Sequence, residues 1–261
     1  MEKYFEEIER KTDEIYEIAK RARSQTKDPE LEPEIPRAGG LASRVEKLVG
    51  PNGVAEVIGD LEKQMPREEI ALKIAEMIVD GKFGKSDEQT AAQQAVRTAL
   101  SVLTEGIVVA PIEGITDVRI KNNFDGTRYL ALYFASPIRA AGGTAAALAV
   151  LAGDFVRRRL YLNPYKATER EVERFVEEVE IYRTSIAREQ YTPPQDDVRL
   201  AVQNIPVEIT GDPSGREVAV MAFRDLERIG HNWVRGGAVL AMVEGVMQKA
   251  PKIMKYVNKL N

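Results

Sequence analysis

The chain has no cysteine and a single histidine among its 261 residues. The first absence removes disulfides, thiolate chemistry and cysteine-based zinc sites; the second removes a histidine-rich metal centre, and His231, for which no Ser-His-Asp ordering can be read, is expected to be a loop or packing histidine. Also lacking is any apolar run near the roughly 18 residues that span a bilayer, and the start, Met1-Glu2-Lys3-Tyr4-Phe5-Glu6-Glu7, has no apolar signal-peptide centre. A cytoplasmic protein with no membrane contact is expected. Charge of either sign is nearly balanced, 37 Lys and Arg against 41 Asp and Glu, so binding to a polyanion would have to rest on local basic patches.

What is present is enough apolar sequence, 44%, to bury a core. In residues 1–24, Tyr4, Phe5, Ile8, Ile15, Ile18, Ala19 and Ala22 recur at helical spacing among charges, predicting an amphipathic helix that serves as a partner-docking arm or folds back on its own domain. Residues 25–40 hold Pro29, Pro33, Pro36 and Gly39-Gly40 in an acidic stretch and read as a linker. Residues 41–261 read as one α-rich scaffold domain. The fold class is α+β, predominantly α-helical with small antiparallel β-hairpins near 116–135 and 206–221.

Within that domain, four helical segments are expected between Leu41 and Gly106. One opens at Pro66 with Glu68 and Glu69 in its first turn and Ile70, Ile74, Met77 and Ile78 on one face; another starts at Ser86, with Gln89 completing a capping box, and runs to Leu103. Val118 and Ile120 alternate with charged neighbours, Asp125-Gly126 supplies a turn, and Tyr129 to Phe134 returns as a strand. Helices are expected over 138–160, over 168–189 behind a Thr168/Glu171 capping box, after Thr192-Pro193-Pro194, and from about Arg235 to the end. A second hairpin pairs Val207-Glu208-Ile209 with Val218-Ala219-Val220 across residues 211–215.

Catalytic chemistry finds little support. Gly81-Lys82-Phe83-Gly84-Lys85-Ser86 ends like a phosphate-binding loop, but the motif's first glycine would fall at Val79, inside a helix. The acidic pairs Glu177-Glu178 and Asp196-Asp197 read as solvated helix faces rather than metal ligands.

Two places are unusual. Ser136-Pro137-Ile138-Arg139-Ala140-Ala141-Gly142-Gly143-Thr144 leaves a strand, places an arginine and enters a helix through two glycines; Arg235-Gly236-Gly237 repeats the device. Open N–H groups at a helix start attract anions, and glycine lets a phosphate approach, although the same glycines also suit close helix packing. Arg157, Arg158 and Arg159 end the first of these helices, where the helix dipole favours cations without any DNA. Lys249, Lys252, Lys255 and Lys259 form a basic stripe or an ordinary solvated face on the last helix.

Three long motifs resemble the N-terminal region of the family D DNA polymerase large subunit of archaea: Asp28-Pro29-Glu30-Leu31-Glu32-Pro33-Glu34-Ile35, Leu130 through Thr144, and Val234-Arg235-Gly236-Gly237-Ala238. Ser136 and Ala140 stand where glycine and serine are usual, and Gly230-His231-Asn232-Trp233 replaces a more acidic lead-in. The resemblance implies a replicative polymerase whose large subunit performs nucleotidyl transfer with magnesium and whose small subunit is a 3′–5′ exonuclease. The implied acidic metal ligands lie downstream, so this region is expected to be inactive alone and to carry no cofactor. Its implied partners are DNA, the small subunit, the downstream catalytic region and a second large subunit. DNA contacts are expected at Arg139, Gly142, Gly143, Thr144, Arg157, Arg158, Arg159, Arg235, Gly236 and Gly237. The rival expectation is a pure assembly module; a third, an enzyme acting on phosphorylated metabolites at the Arg-Gly-Gly loops, lacks a general base or nucleophile.

Overall fold

A computed structural model describes residues 2–26, 30–31, 39–105, 109–213 and 218–259. The chain divides into two compact units, Met1–Arg37 and Ala38–Asn261. In the first, α1 (Glu2–Ser24) is a single helix with no buried residue. Tyr4, Phe5, Ile15 and Ile18 along it are exposed. The prolines of the expected linker lie outside the described residues.

The second unit begins with four helices, α2 (Leu41–Leu48), α3 (Val54–Leu61), α4 (Arg67–Val79) and α5 (Glu88–Leu103). The predicted apolar face of α4, Ile70, Ile74, Met77 and Ile78, is buried. The start of α5 differs by one residue from expectation, because Asp87 caps it by accepting the Thr90 N–H at 3.0 Å. Gln89 is thereby freed to bridge to the sheet, where its Oε1 accepts the Ile120 N–H at 2.8 Å.

A π-helical turn leads into the expected hairpin, β1 (Ile115–Asn122) and β2 (Arg128–Phe134), antiparallel with Val118 opposite Leu132 and Ile120 opposite Leu130. Leu130, Leu132 and Phe134 enter the main core, while Tyr129 and Ala131 alternate to the other face and pack with Tyr165.

The helix expected over 138–160 is broken in two, α6 (Ile138–Ala141) and α7 (Gly143–Arg159). Gly142, at φ 85°, occupies the left-handed region and turns the chain between them. Next come α8 (Glu169–Ile181), opened by the predicted Thr168/Glu171 capping box, and α9 (Gln195–Asn204). Helix α8 passes into a π-helical turn and ends at Ile186, short of the expected Glu189.

The second hairpin does not form. β3 (Glu208–Gly211) instead joins β2 in parallel, with Ala131 opposite Glu208 and Phe134 opposite Gly211. All four β3 residues are buried, so this edge strand is covered by the rest of the domain, as a parallel strand requires and an exposed hairpin arm would not be. Val218 and Val220 pair with the 232–234 segment, Val220 N–H donating to the Asn232 carbonyl at 2.8 Å. The sheet is therefore mixed, in the order β1-β2-β3. A last run of helix, α10 (Gly236–Leu240), a π-helical turn (Ala241–Met247) and α11 (Gln248–Lys259), completes the chain.

Candidate nucleic-acid interface

Helix α8 is the spine of the polar interior. At its centre Glu178, fully buried, receives Arg235 Nη2 at 2.7 Å and Arg174 Nε at 2.9 Å. Arg235 also donates to Thr210 Oγ1 at 3.0 Å, and Arg174 donates to the carbonyls of Phe223, His231 and Trp233. Burial opposes the charge on both guanidiniums: Glu178 outweighs it at Arg235, whose pKa is raised, and only partly offsets it at Arg174, whose pKa falls. The adjacent Glu177 accepts the N–H groups of Met221, Ala222 and Phe223. Burial pushes the Glu171 carboxyl up, but its hydrogen bond from Arg228 reverses this and holds it low. Successive acidic and basic residues of α8 thus tie down the 221–235 segment, which has almost no strand structure of its own.

The expectation that Glu177-Glu178 faces water is corrected by this arrangement. Arg235 is likewise enclosed, 2% exposed, with its donors spent inside the protein. Its glycines pack: a Cβ on Gly237 would lie 2.4 Å from the Phe134 carbonyl oxygen. The second Arg-Gly-Gly element is an internal joint between α10 and β2.

The arginine triplet is similarly committed. Arg157 is buried and donates to the Leu162 carbonyl at 2.6 Å, closing the end of α7. Arg159 reaches Asp80 at 2.6 Å, fastening α7 to α4. Arg158 is exposed and pairs with Asp154 at 2.9 Å. His231 is half-buried; its Nδ1 accepts the Trp233 N–H at 3.2 Å, so Nε2 carries the proton toward the Gly211 carbonyl at 3.3 Å.

The outer face of the sheet forms a cleft of about 570 Å³ lined by Arg119, Lys121, Tyr133, Arg228 and His231. Its cations are already paired: Arg119 with Asp117 at 2.6 Å, Lys121 with Glu208 at 2.8 Å, and Arg228 with Glu171.

The first Gly-Gly element is different. Arg139 is exposed; it donates to the Arg188 carbonyl at 2.8 Å and hydrogen-bonds the Tyr182 hydroxyl. No side chain caps the start of α7, leaving the first N–H groups of a 17-residue helix open. A Cβ on Gly143 would sit 2.0 Å from the Glu244 carbonyl oxygen and 3.3 Å from Lys249 Cε. Lys252 Nζ stands 3.3 Å from Thr144 Oγ1. Close packing of α7 on the last helix therefore carries the lysine stripe to the α7 start, a meeting that sequence spacing could not disclose. Among the described residues no carboxylate forms an ion pair with Lys249, Lys252 or Lys255, and Arg139 feels the Glu189 carboxyl without a close ion pair. The side chain of Lys259 lies outside the described residues.

Among the described residues no group of three or more His, Asp or Glu could hold a metal ion, and Glu171 and Glu178 are bound by arginines, so they do not fit a divalent cation. No described helix is long and apolar enough to cross a membrane.

These elements define an α+β domain cross-braced by buried arginine–carboxylate pairs. Residues 3–261 match the family described as DNA polymerase II large subunit DP2, N-terminal, and the chain belongs to that family, the N-terminal region of the archaeal family D polymerase large subunit. It is 54% identical to the DNA polymerase II large subunit of Pyrococcus horikoshii, the match covering 100% of this chain and 18% of that protein. It is 54% identical to that of Methanothermobacter thermautotrophicus over 98% of this chain and 24% of the relative. For Thermococcus kodakarensis the values are 51%, 100% and 14%. The chain spans less than a quarter of the length of these relatives.

Proposed function

We propose that residues 38–261 are a non-catalytic scaffold of a replicative DNA polymerase that holds the DNA backbone at the start of α7. One observation carries this reading: the uncapped α7 terminus meets Lys249 and Lys252, and Arg139, four residues ahead of Gly143, forms no ion pair with a carboxylate among the described residues. A phosphate placed there gains charge-assisted hydrogen bonds from side chains and from the helix start. Arg158, at the far end of the same helix, is exposed but already paired with Asp154. Gly142 leaves its backbone open, since nothing lies within 4 Å of where its Cβ would be. The contacts are to phosphate and carry no sequence preference.

In the whole polymerase, nucleotidyl transfer and its magnesium belong to the downstream region of the large subunit, and proofreading to a 3′–5′ exonuclease small subunit. The scaffold supports that downstream region. The test is DNA affinity of the 261-residue chain in a salt series. Arg139→Ala with Lys252→Ala should weaken binding to duplexes of unrelated sequence equally; unchanged affinity sinks the proposal.

A second reading attaches to α1. Its exposed Tyr4, Phe5, Ile8, Ile15 and Ile18 favour an assembly arm that covers this stripe against the small subunit or a second large subunit.

A further inference from the structure

Beside the proposed phosphate site lies a pair of buried carboxyls. Glu189 is 8% exposed and Glu244 6%. Neither oxygen of Glu189 has a hydrogen-bond partner within the protein, an expensive arrangement for a charged group. Glu244 Oε1 accepts the Gln190 N–H at 3.0 Å, and Arg139 holds the preceding Arg188 carbonyl at 2.8 Å. The segment 187–191 is thus attached at three successive residues: by its carbonyl to Arg139, by a partnerless carboxyl set into the protein, and by its N–H to Glu244. Glu244 lies on the same π-helical turn whose backbone carbonyl contacts Gly143.

We propose that residues 187–191 are a proton-controlled latch on the phosphate site, closed while Glu189 is neutral and released when it ionises, which frees Arg139. The release follows from charge: an ionised Glu189 would stand desolvated beside Glu244, and solvation is regained only if the segment leaves. The groups facing Glu189 are Glu244, Glu180 and Arg183 at the end of α8, and Arg139 from α6; Tyr182 neighbours Arg139 and both carboxyls. Burial first, and Glu244 second, raise the Glu189 carboxyl to about 7, so the latch responds between the ordinary carboxylate range and neutrality.

The latch rests on the Arg139 reading only for its consequence, not for its motion, and the two are separable. Hydrogen exchange of amides 187–191 in the 261-residue chain, corrected for the intrinsic effect of pH, reads the motion. Linkage to one proton predicts that protection falls roughly tenfold or more from pH 5.5 to pH 8, and that Glu189→Gln stays protected at both. Equal protection of the wild type at both pH values, or an undiminished fall in Glu189→Gln, overturns the latch. DNA affinity at constant salt reads the consequence: it should rise relative to Glu189→Gln as pH increases, and the rise should vanish in Arg139→Ala. If protection changes while affinity does not, the latch stands and the phosphate role of Arg139 fails.

Discussion

At the residue scale, the buried network around Glu178 governs stability. Glu178→Gln removes the charge that neutralises two enclosed guanidiniums, Arg174 and Arg235. Breaking one member of such a cluster costs about 3–5 kcal/mol, to be read as a lower urea midpoint. Half of the cluster is legible in sequence, because Arg174 and Glu178 stand four residues apart on one helix. The other half is not: Arg235 is 57 positions further on, and no local pattern says which distant arginine will enter the core. That is why Glu177-Glu178 reads as a solvated face and Arg235 as a ligand group. Glu189 obeys a different sign. Its folded-state pKa is raised, so the folded chain binds the proton more tightly than the unfolded chain, and its contribution to stability falls as pH rises from about 4.5 to about 7. Glu189→Gln should match the wild type in stability at pH 4 and exceed it at pH 8, by about 3 kcal/mol; urea titrations at both values check this.

At the element scale, the helices were readable because their apolar stripes and caps are local, as in α4 and in the Thr168 box of α8. Pairing of β3 was not, since a buried four-residue strand carries no alternation to declare its partner. The glycines separate two causes that look alike in sequence. Gly142 is required by a left-handed φ with free space around it, Gly143 by contact with the Glu244 carbonyl. Gly142→Ala should cost about 1–2 kcal/mol from backbone strain, whereas Gly143→Ala must push α7 from the last helix and should cost more. Their thermal midpoints give the order. For α1, deletion of residues 1–40 should abolish assembly with the partner subunit in size-exclusion chromatography while the circular dichroism of the remainder stays helical; retained assembly would remove the docking role.

At the scale of the whole molecule, buried and half-buried arginines brace the domain from within. Arg157, Arg159, Arg174, Arg228 and Arg235 bind carboxylates or carbonyls that join α4, α7, α8 and the 221–235 segment. A near-neutral chain can still hold a polyanion through a local group of cations, and the proposed phosphate site draws on those beside the start of α7. The most direct test is the dependence of DNA affinity on salt for the 261-residue chain and for its Arg139→Ala/Lys252→Ala variant, folding being verified by circular dichroism. Each lost phosphate contact flattens the slope of log K against log salt by about 0.9, so the variant's slope should be shallower by about two. Identical slopes, or a wild type whose affinity does not vary with salt, would contradict it.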